Sequence, residues 1–394
     1  MYLQLAGLVV KRDGKLRISN PIYREIFNEQ WLEGLEENVL QAPTPELVDS
    51  FLEVPRGTVP LNSPFYINRE PRELEIYRLI EEEASLVIIK APHQMGKSSL
   101  LARIADHAVK QGYQVIILNF QQIQQDIFQN LESFLKEFCA IITDELGMSS
   151  QQLKEALEKK ELTLGVINFY SRYIEEYILA NLTTPLFLGI DETDMIYNNV
   201  EVAKDFLHLL RYWHEKSIMS PTWGKLRINI VFSCESYMIT HPPNSSPFNV
   251  GYRIELSEFT PGQILDLSKR HGLKWSVEEV EQLMSIVGGH PYLVRLALYH
   301  VAKKDFTLSE ILTEAPTDKG IYQEHLRGHL WSLQEHPELL AGFQKVVNSD
   351  RPVRLDPRID FELHGMGLVN REGSFVTLRY PRLYRAYFSK QLGQ

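Results

Sequence analysis

Ser85-Leu86-Val87-Ile88-Ile89-Lys90 is followed by Ala91-Pro92-His93-Gln94-Met95-Gly96-Lys97-Ser98, and then by Ser99-Leu100-Leu101-Ala102-Arg103-Ile104. The first stretch reads as a buried strand, and the last opens a helix with apolar residues at helical spacing. A strand that feeds a loop into a helix N-terminus presents a row of backbone N–H groups to an anion. The loop closes on Gly-Lys-Ser, as a phosphate-binding P-loop does, with Ala91 where the first glycine usually stands. Gln94, Met95, Gly96, Lys97, Ser98 and Ser99 are therefore the candidate nucleotide contacts. Gly96 lets the backbone approach the phosphates, Lys97 is expected to reach the β- and γ-phosphates, and Ser98 to offer its hydroxyl to Mg²⁺. Ala91 can serve here only at negative φ, and Pro92 and Gln94 make the loop stiffer than a glycine-rich one.

A second element points the same way. Pro185-Leu186-Phe187-Leu188-Gly189-Ile190-Asp191-Glu192 is an apolar strand ending in two acids, about 95 residues beyond Lys97. Asp191 is the candidate Mg²⁺ ligand, and Glu192 the candidate that orients or deprotonates an attacking water. An acidic turn after a strand is common by itself. Paired with the loop, it predicts an ATP or GTP site.

The 394-residue length allows two or three domains. A hydrophobic content of 44% and a charged content of 23% are ordinary for a protein that buries real cores. The net charge of −10 argues against a general DNA-coating protein, though not against a local basic face. The two cysteines, Cys139 and Cys234, lack zinc spacing and read as buried reduced thiols. No apolar run approaches the roughly 18 residues of a membrane span, and the N-terminus lacks a secretion-signal layout. The expectation is a cytoplasmic protein.

An internal repeat organises the ends. Residues 7–27, GLVVKRDGKLRISNPIYREIF, and 367–388, GLVNREGSFVTLRYPRLYRAYF, share a strand, a charged Gly turn, a second strand and a proline separated by one or two residues from Tyr-Arg, leading into a helix. About 50 residues of helical pattern precede the second copy, enough for a winged-helix-like domain over 319–394. The first copy has too little before it, so 1–41 reads as a partial winged-helix-like segment. Prolines at 43, 45, 55 and 60 mark 42–62 as a linker. The core is assigned to 63–256, with strands at Leu86–Lys90, Gln114–Asn119, Leu186–Asp191 and Arg227–Ser233. Helical runs between them, including Asp126–Glu145 and Gln151–Leu162, imply a parallel sheet covered on both faces. A helical lid over 257–318 opens at Thr260-Pro261.

The chain resembles the AAA-like ATPases abundant in cyanobacteria, within the wider STAND class of signalling ATPases. The resemblance covers 63–394. It rests on Ser63-Pro64-Phe65-Tyr66-Ile67-Asn68-Arg69, on the loop His93–Leu100, on Ile190-Asp191-Glu192 and on Ser246-Pro247-Phe248-Asn249-Val250-Gly251. Gly288-Gly289-His290-Pro291-Tyr292-Leu293-Val294 and Leu363-His364-Gly365-Met366-Gly367-Leu368-Val369 complete it. It implies that Phe65, Tyr66 and Arg69 approach the adenine, and that Ser233 stands as the sensor polar residue near the γ-phosphate. It also implies that Pro291, in Gly289-His290-Pro291, packs on the base. NB-ARC-type relatives place a winged-helix histidine against the nucleotide; the corresponding Tyr380-Pro381 has none, and the role does not transfer to His364. Each residue also has a plainer reading. Phe65 and Tyr66 suit a core, His290-Pro291 a helix break, Ser233 a satisfied strand end, and Arg211 a solvated helix face rather than a trans arginine finger.

The expected function is an ATP-binding, slowly hydrolysing signalling switch whose nucleotide state controls lid and winged-helix closure and partner engagement, with ATP/ADP and Mg²⁺ as ligands and a protein partner or effector in trans. A DNA-binding regulator using the basic C-terminal residues is the alternative, as is a ring-forming remodelling ATPase with a nucleotide-dependent oligomer. A small-molecule kinase fits poorly with the long lid.

Overall fold

The computed structural model describes residues 9–12, 15–18, 52–149, 151, 155, 165–233 and 251–392. The chain divides into two compact units, 1–53 and 54–394. In the first, β1 (Val9–Arg12) and β2 (Lys15–Ile18) pair antiparallel, Val9 opposite Ile18, as the repeat predicts. The helix expected after this hairpin lies outside the described residues.

The second unit begins its regular structure with α1 (Arg72–Glu81), β3 (Leu86–Lys90), α2 (Lys97–Lys110) and β4 (Gln114–Asn119). Then come α3 (Leu131–Glu145), α4 (Val166–Tyr173), β5 (Leu186–Asp191), α5 (Val200–Met219), β6 (Leu226–Phe232) and β7 (Tyr252–Glu255). The expected Asp126–Glu145 helix is interrupted: Asn130 accepts from Ser133 N at 3.1 Å and starts α3 afresh after a 3-10 turn. Only residues 151 and 155 of the expected Gln151–Leu162 helix are among those described, and both are helical.

The five strands form one parallel sheet in the order β4-β5-β6-β3-β7. This is the α/β parallel sheet covered by helices that the sequence predicts. Because strand side chains alternate, the sheet has two apolar faces. Leu86, Ile88, Leu188, Ile190, Ile228 and Ile230 pack with Phe134, Phe138, Phe206 and Trp213 of α3 and α5. Val87, Ile89, Phe187 and Val231 pack on the other side with Ile76 and Ile80 of α1 and Leu100, Leu101 and Ile104 of α2. With β6 inserted between them, the loop after β3 and the acids after β5 open at the same edge, where an open parallel sheet offers its crevice.

Beyond the sheet lie α6 (Pro261–Arg270), α7 (Val277–Val287), α8 (Pro291–Ala302) and α9 (Leu308–Glu314), the helices of the expected lid. Thr260 with Gln263, Ser276 with Glu279 and Thr307 with Glu310 form capping boxes at three of their N-termini. Each cap contributes on the order of 1 kcal/mol and fixes where its helix starts. The C-terminal segment comprises α10 (Gln323–Glu335), α11 (Pro337–Val347), α12 (Pro357–Gly365), the antiparallel hairpin β8 (Val369–Glu372) and β9 (Phe375–Leu378), and α13 (Pro381–Gln391). Gly373 takes φ +64° in the hairpin turn. No helix of the described residues is long and apolar enough to cross a membrane.

Candidate nucleotide site

The loop 91–98 joins β3 to α2, and Gly96 is the N-cap of that helix at φ +88°. This left-handed conformation favours glycine, and a Cβ here would also press within 2.9 Å of the tip of the Arg69 side chain. The left-handed non-glycine residue of the loop is Gln94, at φ +61°; Ala91 keeps a negative φ, as its side chain demands. Lys97 is buried, and its Nζ donates to Ala91 O and Pro92 O, both at 2.9 Å, and to Ser233 Oγ at 3.0 Å. The ammonium is thus held over its own loop by three oxygens.

Asp191 and Glu192 end β5 at the same edge. The buried Asp191 accepts from Glu192 N at 3.0 Å, and Glu192 takes φ +53°. Ser233, just past β6, is brought against the loop, with Oγ 3.4 Å from His93 Nδ1. Its backbone N donates to Asp194 Oδ2 at 2.7 Å. Asp194 is a residue that sequence reasoning missed: it anchors the end of β6 beside the loop, and only its closeness to the acidic pair hints at it.

A cavity of about 430 Å³ lies over the loop and brings together most of the expected contacts. Gln94, Gly96, Lys97, Ser98, Ser99, Asp191 and Glu192 line one side; Phe65, Tyr66, Ile67 and Arg69 line another; Phe259, Leu267, Pro291, Tyr292 and Arg295 close it. Met95 is fully buried beneath the loop, and Ser233 is reached through Lys97 rather than from the cavity. Residues 55–59 of the expected linker also line the cavity. They are pinned there by Val59 N donating to Ser99 Oγ at 2.9 Å and by Arg103 donating to Val59 O and Pro60 O at 3.1 and 2.8 Å.

Aromatic residues of the site serve structure as well as the cavity. Phe65 packs on His271 with ring centroids 4.3 Å apart, and Tyr66 donates to Glu73 Oε1 at 2.6 Å beneath the Arg103 guanidinium. Arg69 donates from Nη2 to Met95 O, while its buried Nη1 has no hydrogen-bond partner. Burial holds the Arg69 pKa below its usual value. An unsatisfied guanidinium N–H at a cavity wall, beside a loop of backbone donors, fits an anionic ligand. Arg211, by contrast, pairs with Glu215 at 2.8 Å on the exposed face of α5, in keeping with the plainer reading.

The expected lid and the C-terminal segment meet at Glu258. Its Oε1 accepts from Arg379 Nε at 2.8 Å and Tyr380 OH at 2.6 Å, and its Oε2 from Gly289 N at 2.8 Å. Gly289 is fixed by packing, since a Cβ there would fall 2.1 Å from Phe259 O. Cys139 is buried in the core, where burial pushes its thiol pKa up, and Cys234 and residues 246–250 lie outside the described residues. Among the described residues no group of three or more His, Cys, Asp or Glu side chains could hold a metal ion by itself.

The family model described as an AAA-like domain matches residues 54–390. The chain is 23% identical over 295 residues to an uncharacterised WD repeat-containing protein of Synechocystis sp., a match that covers 71% of this chain and 24% of the relative. The chain therefore spans about a quarter of that relative's length. Among solved structures, the Walker-type ATPase of Pyrococcus abyssi is similar with a TM-score of 0.55 at 15% identity, over 86% of this chain and 99% of its own. The ORC2 protein of Aeropyrum pernix, solved in ADPNP–ADP complexes, is similar with a TM-score of 0.47 at 15% identity, over 83% of this chain and 97% of its own. At such identity the first likeness speaks for the fold.

Proposed function

The chain belongs to the AAA-like domain family, and from that premise we propose that it is a nucleotide-operated switch that binds ATP or ADP and hydrolyses ATP slowly. The observation that carries this reading is the make-up of the cavity. It is walled by the loop of the core on one side and by Pro291, Tyr292 and Arg295 of the lid on the other. A nucleotide held there touches both bodies, so its phosphate state can bias their closure.

In this reading the α2 N-terminus and Lys97 hold the phosphates, Lys97 turning from its carbonyl partners toward the anion. Arg69 turns its unsatisfied N–H to the ligand, Tyr66 lines the base end, and Pro291 packs on the base. Ser98 and Asp191 would hold Mg²⁺, which when bound neutralises developing charge on the phosphates. Two oxygen donors from the protein suit an ion that takes its remaining ligands from phosphates and water. Glu192 orients the attacking water, and Ser233 positions Lys97.

The cytoplasm is the proposed setting, with a protein effector in trans and a nucleotide-dependent oligomer as further elements of the reading. DNA binding through the C-terminal segment is less favoured. Arg371, Arg379 and Arg385 are already engaged with Asp360, Glu258 and Asp350, at 2.7, 2.8 and 2.5 Å. Those pairs must be given up before the same guanidinium groups meet phosphates.

The test is the nucleotide content of freshly purified protein, denatured and resolved by ion exchange. Near-stoichiometric ADP or ATP, absent from Lys97→Ala, supports the switch. Empty protein that also fails to take up ATP with Mg²⁺ overturns it.

A further inference from the structure

Three consecutive residues of the loop, Pro92, His93 and Gln94, each meet a different part of the chain. Pro92 lies under Gly367 of the C-terminal segment; a Cβ on Gly367 would come within 3.1 Å of the proline ring. The ring of His290, the N-cap of α8, hydrogen-bonds the His93 backbone. Gln94 Oε1 lies 3.1 Å from His325 Nδ1 on α10, and His325 Nε2 lies 3.1 Å from Tyr384 OH on α13. With Gln94 as acceptor, His325 is the neutral Nδ1–H tautomer and takes a proton donor from Tyr384. The chain Gln94–His325–Tyr384 thus has a single consistent polarity.

His93 and Gln94 also line the nucleotide cavity, so the same two residues face the ligand site and the C-terminal joint. The joint itself is tight. His290 and His325 stand edge to face with centroids 5.4 Å apart, and the residues around them enclose a space of only about 10 Å³. Close-packed contacts of this kind transmit a shift rather than absorb it.

We propose that His290 and His325 are positioning residues that set the conformation of the P-loop through His93 and Gln94, so that docking of the C-terminal segment and nucleotide affinity are one coupled equilibrium. The proposal deepens the nucleotide-switch reading and rests on it for the ligand, but its structural half concerns the loop alone. The stiff and polar residues at positions 92 and 94 of this loop then have a purpose. They give the C-terminal segment side chains to hold, while His290 of the lid reaches the backbone at His93.

The experiment uses the full chain, with hydrogen–deuterium exchange of residues 91–99 and 323–335 and the dissociation rate of fluorescent ADP. His325→Ala is expected to raise exchange across the loop without nucleotide and to speed ADP release by at least about fivefold. His325→Asn, which keeps an N–H near the Nδ1 position, is expected to restore most of both. Coupling is reciprocal, so Gln94→Ala is expected to raise exchange in α10 although it lies in the loop. Gln94→Ala also reports if His325→Ala fails to fold. Unchanged exchange in α10 for Gln94→Ala, or an ADP release rate indifferent to His325 in a protein that binds ADP, overturns the proposal. If the parent binds no nucleotide while the exchange coupling appears, the nucleotide reading falls and the docking of the loop stands.

Discussion

Lys97 Nζ stands 3.0 Å from Ser233 Oγ, 136 residues further along the chain. That contact ties the end of β6 to the loop after β3 and holds the ammonium where a phosphate would otherwise draw it. Replacing Lys97 by Ala removes the ammonium held over the loop. Nucleotide affinity should fall by roughly 100-fold or more, about 3 kcal/mol, as a charge-assisted contact is lost. Isothermal titration with ADP and ATP measures it; parent-like affinity would remove Lys97 from the site.

Glu192 is held at φ +53° beside Asp191, a conformation that glutamine tolerates as well as glutamate does. Glu192→Gln should therefore leave ATP binding and thermal stability near the parent's while cutting turnover by about 100-fold or more. Single-turnover hydrolysis separates the two effects. Retained turnover would assign the water-orienting role to another group.

Gly289→Ala should destabilise the fold by about 3 kcal/mol and loosen the lid, because the new methyl meets Phe259 O at 2.1 Å. Urea denaturation gives the first effect. Limited proteolysis around 256–260 gives the second, and parent-like stability would contradict the packing described here.

Buried histidines set a pH dependence. Burial lowers the His290 pKa to about 3, with Arg379 and His329 adding to the effect, and lowers that of His271 to about 4, with Arg295 adding. Both folded values lie below the usual 6.5, so the unfolded state binds the proton more readily. Their contribution is full above about pH 6.5 and is lost as pH falls toward 4 and 3, costing about 2 kcal/mol apiece by pH 5. Melting temperatures between pH 7.5 and 5 should fall accordingly. His290→Asn, which keeps a capping side chain, should flatten that fall, and an unchanged slope would argue against the buried neutral imidazole.

The engaged arginines of the C-terminal segment predict that duplex DNA is not bound with a steep salt dependence. Fluorescence anisotropy at low and moderate salt checks this. Affinity that falls linearly with the logarithm of salt would revive the DNA reading.

Much of the core was legible because its signals are local. Apolar runs broken by Gly, Pro and charge place β3, β4 and β5 to the residue, and Thr260-Pro261 announces α6 through cap chemistry alone. Strand β7 escaped because Tyr252-Arg253-Ile254-Glu255 buries a single side chain, Ile254, at a sheet edge, and so leaves no run to detect. Residues 55–59 read as linker since Pro and Gly look alike whether a segment wanders or is pinned, and the pins belong to Ser99 and Arg103. The sequence around Tyr380-Pro381 carries no histidine. The fold supplies one from elsewhere, because His325 on α10 reaches Tyr384 on α13.

Strand β7 pairs with the P-loop strand, and Leu256 N still bonds Lys90 O before α6 begins at Pro261. The residues between can extend by no more than about 17 Å. If α6–α9 open as the proposed lid, so short a leash keeps that lid from diffusing away. Its return is a first-order event at an effective concentration in the range of about millimolar or above, independent of how dilute the protein is. An opened lid therefore recloses unless something occupies the exposed surface first. In the proposed switch, the lifetime of the open form would then be set by competition for that surface, which is where a partner would read the nucleotide state.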